Sequence, residues 1–147
     1  MKHRTVSEFV RDQVVAELPP SATVREAVRV MADRHIGAVM VTETGHLSGI
    51  FTERDMVSRV AAPGKDPDRT TLAAVMTGHP QTIAADASTI DALRVMQAGG
   101  FRHLPVVHHG RLVGVLSLRD FAGTDLIEIE RASDIERAVA EGGILHD

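Results

Sequence analysis

The chain has 147 residues, 44% of them hydrophobic and only 3% aromatic, with no Trp, Tyr or Cys. That is apolar mass for one domain or for two small repeats sharing a core of Val, Ile, Leu, Ala and Met. Sixteen Lys and Arg against 20 Asp and Glu give a net charge of −4, which excludes a broad basic field for nucleic acid; the lack of Cys excludes disulfides and thiolate metal sites and fits a cytoplasmic protein. No apolar stretch approaches the roughly 20 residues of a membrane span. The segment MKHRTVSEFVRDQ turns charged too soon for a signal peptide, so neither export nor membrane contact is expected.

In chain order, Val14-Ala16 reads as a short strand. Thr23 is an N-cap type opening a helix whose apolar face is Val24, Val28 and Met31, at i, i+4 and i+7. Two apolar runs, Ala38-Val41 and Leu47-Phe51, flank a polar turn with Gly45 and read as a β-hairpin. Thr52 caps a further helix with Met56, Val57 and Val60 as its apolar face. Pro63, Gly64 and Pro67 among charges mark residues 63–71 as a linker.

The same order then returns. Gln81-Ile83 is a short strand, Ser88 caps a helix with Thr89, Leu93 and Met96 inward, and Leu104-Val107 and Leu112-Leu116 flank a turn with Gly110. Ser117 is again an N-cap type, and Phe121 is expected to begin the next apolar face. Beyond residue 124 a C-terminal extension is expected to be helical, from the capping-box pattern Ser133-Asp134-Ile135-Glu136 to Gly142-Gly143.

Residues 22–55 and 87–120 align without a gap, Asp55 falling on Asp120. Identities include Ala27/Ala92, Met31/Met96, Val41/Val106, Gly45/Gly110, Gly49/Gly114 and Arg54/Arg119. A match of this length through two turns points to a duplicated supersecondary unit. The expected organisation is a first copy over 1–62, the linker over 63–71, a second copy over 72–123 and the extension over 124–147.

The strings GIFTERD at Gly49-Asp55 and GVLSLRD at Gly114-Asp120 resemble the Gly-h-x-Thr/Ser-x-x-Asp signature of CBS domains. FRHLPVV at Phe101-Val107 is similar to that family's central strand, and VMTGHPQTI at Val75-Ile83 to its usual lead-in to the second repeat. The resemblance implies an α/β protein: two CBS repeats, each a β-α-β-β-α unit, packed sheet to sheet about a pseudo-two-fold axis. It implies clefts between the repeats for AMP, ADP, ATP or S-adenosylmethionine, and a homodimer. In such pairs the backbone before the first helix meets the adenine edge, here Val15-Ala16 and Thr82-Ile83. Arg102 and His103 stand where some members hold phosphate-binding side chains.

The residues themselves support ligand chemistry. A carboxylate accepts through two oxygens, so Asp55 and Asp120 suit a ribose diol, while Thr52 and Ser117 suit phosphate or ribose. Both motifs also read as plain helix caps, and Arg54 and Arg119 also as solvated surface residues. Gly37-Ala38 in copy one replace Arg102-His103 in copy two, so the two clefts are expected to differ, with His103 titrating near about pH 6.5. His108-His109 belongs to a turn, and no metal site is expected. There is no Cys nucleophile, G-x-S-x-G elbow or Walker loop, so no enzyme activity is expected. The expected function is a stand-alone regulatory module that binds an adenosyl nucleotide, requires no cofactor and acts on an unidentified regulated protein. The alternative is a ligand-free dimerisation or protein-interaction module with vestigial clefts.

Overall fold

The computed structural model describes residues 4–121 and, further on, Arg131, Ile135, Ala138 and Val139. The extension predicted from residue 124 therefore lies almost wholly outside the described residues.

The chain begins with a helix that the sequence reading passed over, α1 (Val6–Val10). Then follow β1 (Glu17–Leu18), α2 (Val24–Arg34), β2 (Ala38–Glu43) and β3 (His46–Thr52). A single α-turn, α3 (Glu53–Asp55), continues as a π-helix over Met56–Ala61. The second half runs α4 (Leu72–Val75), β4 (Thr77–Gly78), β5 (Ile83–Ala84), α5 (Thr89–Gly99), β6 (His103–His108) and β7 (Arg111–Ser117). A 3₁₀ turn, Leu118–Asp120, follows.

Local chemistry accounts for the main elements. Thr23 and Glu26 form a reciprocal capping box at α2, and Ser88 accepts from the Asp91 N–H at α5. Both helices end on a left-handed residue, His35 (φ 54°) and Gly100 (φ 69°). Both hairpins turn on two residues of positive φ, Thr44-Gly45 and His109-Gly110, the backbone of a type I′ turn that suits the strand twist. His109 is thus a turn residue, as the sequence suggested.

One sheet has the order β1-β2-β3-β4 and the other β5-β6-β7. β1 and β5 run parallel to their neighbours and the hairpins antiparallel, with a register shift at the same place in each, between Val41 and Thr42 and between Val106 and Val107. The two sheets meet through Ala38, Met40 and Ile50, with Val15, Leu47, Leu112 and Val115 packed against them.

The lead-in helices cross between the halves. Val6 and Val10 lie in the core of the second half, with Leu93, Met96, Leu104 and Leu116. Leu72 and Val75 lie in the core of the first, with Val24, Val39 and Phe51. The segment read as a linker is pinned to α2: the Val24 and Arg25 N–H groups donate to the carbonyls of Thr70 and Pro67, and Arg25 Nε lies 2.8 Å from Asp68 Oδ1.

Two expectations are corrected. The leading strands fall later than predicted, at Glu17–Leu18 instead of Val14-Ala16 and at Ile83–Ala84 instead of Gln81-Ile83, because the parallel ladders pair Leu18 with Val41 and Ile83 with Val106. Val60 is fully buried in its own core and Met56 partly so, which leaves Val57 (65% exposed) as the outward residue of the predicted apolar face. Phe121 has extended backbone and packs on Phe9, ring centroids 5.0 Å apart, so it belongs to the second core, and the helix expected after it lies outside the described residues. No helix among the described residues is long and apolar enough to cross a membrane.

Gly114 marks the tightest point of α1 docking: a Cβ there would lie 2.4 Å from Val10 Cβ. Gly114→Ala is expected to destabilise the protein by about 1–3 kcal/mol in urea unfolding. The double variant with Val10→Gly, which removes that Cβ, should lose less than the sum of the two single losses, since the two residues share one contact. Additive losses in the double variant would show that α1 does not press on β7 there.

Candidate functional site

A cleft of about 630 Å³ opens between the halves. One wall comes from the end of β3 and the helix after it: Thr52, Glu53, Arg54, Asp55, Ser58 and Arg59. The second is the lead-in to the second half, Thr77 with His79-Pro80-Gln81. The third is Phe101-Arg102-His103 with Ser117 and Arg119. Ile50 and Pro105 give the floor apolar surface.

Asp55 is only 5% exposed. Its Oδ2 accepts from the Thr52 N–H at 3.0 Å and the Thr52 hydroxyl at 3.2 Å, and the Asp55 N–H donates to that hydroxyl. Its Oδ1 receives the Thr77 hydroxyl at 3.4 Å and lies 3.6 Å from Arg59 Nε. The inner oxygen is thus fixed by the cap, while the outer one holds two long contacts that a better donor can replace. Arg59 also donates to the Met76 carbonyl at 2.8 Å, tying the π-helix to the residue between α4 and β4.

Four arginines, Arg54, Arg59, Arg102 and Arg119, face two carboxylates, Glu53 and Asp55, in this cleft. The lining is therefore cationic although the chain is acidic. The His103 pKa is pushed below its ordinary value, first by burial and further by Arg119 and Arg102, with Glu53 and Asp120 pulling the other way. This corrects the expectation that His103 titrates like a free imidazole.

The structure brings together Thr52, Asp55, Arg54 and Gly37 of copy one with Arg102, His103, Ser117 and Arg119 of copy two. The motif Asp that shares a cleft with Arg102-His103 is thus Asp55. The remaining predicted residues lie elsewhere. Asp120 is exposed and accepts from the Ser117 N–H at 2.7 Å. Ala38 is buried between the sheets, and the Ala16 carbonyl accepts from the Met40 N–H inside the first sheet. Val15 packs against the sheet interface, Ile83 pairs with Val106, and Thr82 is exposed just before it.

Sequence reading missed Glu53, Arg59, Thr77 and His79. Arg59 follows Asp55 at i+4, a spacing that puts opposite charges on one helix face. Thr77 and His79 stand in the VMTGHPQTI string, one turn of chain before the residues chosen.

A duplicated β-α-β-β unit with lead-in helices exchanged, and a cleft formed by one copy's Thr-x-x-Asp and the other's central strand, defines a class of paired domain. The chain belongs to the CBS-domain family: the family model matches residues 6–62 and 72–126. The CBS domain-containing protein CBSCBSPB3 of Arabidopsis thaliana is 36% identical over 138 residues, 93% of this chain and 25% of that protein, so the chain spans about a quarter of that relative's length. The CBS domain-containing protein YhcV of Bacillus subtilis is 35% identical over 108 residues, 74% of this chain and 76% of that one. Among solved structures, the CBS domain protein PAE2072 of Pyrobaculum aerophilum, complexed with AMP, superposes with a TM-score of 0.79 and 28% identity, covering 87% of this chain and 99% of that one.

Burial of His103 has a stability signature. In the unfolded chain this imidazole takes up a proton near about pH 6.5; in the fold it does so only at lower pH. The unfolded state then binds more protons in that window, so stability falls as pH drops below about 6.5. His103→Gln is expected to lose less stability than the parent between about pH 7.5 and about pH 5.5, read as urea midpoints. Equal losses would show that the site does not hold the proton off.

Proposed function

We propose that this CBS pair is a regulatory sensor of phosphorylated adenosine nucleotides, AMP, ADP or ATP, and not an enzyme. The observation that carries the reading is the facing of Asp55 and the Arg102, His103 and Arg119 side chains across one cleft. Asp55 offers a carboxylate for the ribose hydroxyls; the guanidinium forks suit phosphate oxygens. S-adenosylmethionine carries a sulfonium cation and fits a cleft with four arginines less well. The AMP bound by the Pyrobaculum relative supports the nucleotide class.

Signalling has a physical route in this reading. Glu53 lines the cleft and also a second, apolar groove of about 420 Å³ with Val28, Met31, Ile36, Met56 and Val57. An anion in the cleft competes with Glu53 for the neighbouring cations and so shifts a residue shared with the groove. The groove and the outward Val57 suit a two-fold homodimer, the commonest closed assembly. A regulated protein would read the change of conformation or assembly.

A second reading, a ligand-free interaction module, draws on the internal bonds that already engage both oxygens of Asp55. Calorimetry separates the two. AMP is expected to bind, 2′-deoxy-AMP roughly tenfold or more weaker, as loss of a hydrogen bond to a charged group implies. Arg102→Ala should weaken AMP and ATP while leaving adenosine nearly unchanged, and parent affinity for AMP should rise at low salt and as pH falls, because bound phosphate favours protonated His103. No heat and no thermal stabilisation with any of these nucleotides would favour the ligand-free module.

The assembly is tested separately. Light scattering is expected to show a dimer at micromolar concentration, and Val57→Asp a monomer with an unchanged far-UV spectrum. A parent monomer at those concentrations would count against this groove as the interface.

A further inference from the structure

The related cleft, at the Ser117-x-x-Asp120 end, is built differently. In the first sheet the backbone of β4 forms the fourth strand, pairing Thr77 with Ile50. Among the described residues the second sheet has three strands, and a side chain takes the fourth position. Gln13 Oε1 accepts from the Val115 N–H at 2.7 Å, and Gln13 Nε2 donates to the Val115 carbonyl at 2.8 Å. Val115 is the repeat counterpart of Ile50, so one primary amide reproduces the donor and acceptor of a strand residue.

Chain length explains the substitution. The equivalent bonds Val6 N–H to Ala87 and Leu72 N–H to Ala22 place Val6 opposite Leu72, whereas the ladders place Leu18 opposite Ile83. The first lead-in therefore carries one residue more than the second, and its backbone makes no ladder with β7.

Other groups close the same place. Arg34 donates to the Val14 carbonyl, across the region where Gly99, its counterpart, leaves the first cleft open. Arg119, which also lines the first cleft, donates to the His35 carbonyl at 2.8 Å. Gly37 and the buried Ala38 stand in place of Arg102 and His103, so among the described residues those two cationic side chains have no counterpart at this end.

We infer that the second cleft is occupied by the chain's own side chains, Gln13 and Arg34, and that these two residues limit each chain to one nucleotide. The inference rests on the reading of the first cleft as a nucleotide site. Both side chains are exposed and hydrogen-bonded instead of packed, so they act as a removable strap. Removing it opens a site without phosphate partners, one suited to adenosine more than to AMP.

The test is calorimetric stoichiometry on the full chain with AMP and with adenosine, for the parent, Gln13→Ala, Arg34→Gly and the double variant. The parent is expected to bind one AMP per chain, and the double variant one AMP and two adenosines. Two AMP per chain in the parent overturns the inference and leaves the first cleft's reading intact. A double variant that still takes one adenosine overturns the role of these side chains. Loss of all binding in parent and variants overturns both readings, whereas adenosine bound only by the double variant overturns the first-cleft reading alone. Hydrogen exchange at the Val115 amide checks the strap itself: exchange at least several-fold faster in Gln13→Ala is expected, and unchanged protection counts against it. That single change needs no rearrangement of the core, so it remains informative if the double variant unfolds.

Discussion

The exchange of lead-in helices governs the rest of the molecule. Val6 and Val10 are buried in the second core, and Leu72 and Val75 in the first. Each fully buried side chain of this kind contributes about 1.5–3 kcal/mol. Backbone bonds hold the crossing, the Leu72 N–H to the Ala22 carbonyl and the Thr89 N–H to the Arg4 carbonyl. Neither half closes its core alone. Because α4 is seated in the first core while β5 belongs to the second sheet, the chain between them must run along the edge of β3. That path creates β4 and brings the Thr77 hydroxyl to Asp55 and His79 into the cleft. The site is thus a consequence of the topology: its walls come from both halves because the cores do.

Electrostatics then distinguish the cleft from the rest of the surface. A chain of net charge −4 gathers four arginines around one 630 Å³ opening. Only one of the two carboxylates there, Asp55, is buried, and Arg59 and three hydroxyl or amide donors compensate it. The exposed Glu53 stands against His103 and Gly37, where a Cβ on Gly37 would lie 2.6 Å from Glu53 Oε1. The Glu53 carboxylate thus lies over Gly37 at the free end of a flexible side chain, beside the His103 ring. Such a cleft can exchange the Arg59–Asp55 contact for one with an external anion, which is the electrostatic condition the proposed nucleotide reading requires.

The repeat was legible because its signals are local: N-caps at Thr23 and Ser88, helix faces ending in Met31 and Met96, and glycines at the hairpin turns. The crossing was not, because α1 spans five residues and α4 four, too short for a helical period to register. The cleft was half legible. Thr52 and Asp55 follow from the motif, but their pairing with Arg102 and His103 depends on which lead-in crosses to which sheet, a long-range fact with no local trace. The leading strands were misplaced for a related reason: two-residue strands carry no alternation, and their position is set by the partner ladder.

Comparison of the copies shows where the fold constrains sequence and where it does not. Ala27 and Ala92 are fully buried, Val41 and Val106 likewise, and Gly45 and Gly110 both need positive φ. Gly49 and Gly114 each face a contact that a Cβ would violate, with the Thr77 carbonyl in one case and Val10 in the other. These positions are identical because core packing and turn geometry demand the same solution twice. Among the positions that differ in chemistry, three pairs stand at the clefts: Gly37 and Arg102, Glu53 and Leu118, Arg34 and Gly99. None of these six side chains is in a hydrophobic core except Leu118, which packs at its edge. Substitution there leaves the cores untouched and changes only charge and access. One fold can therefore carry a cationic cleft at one end and a self-closed one at the other, and the duplicated scaffold need not bind two ligands.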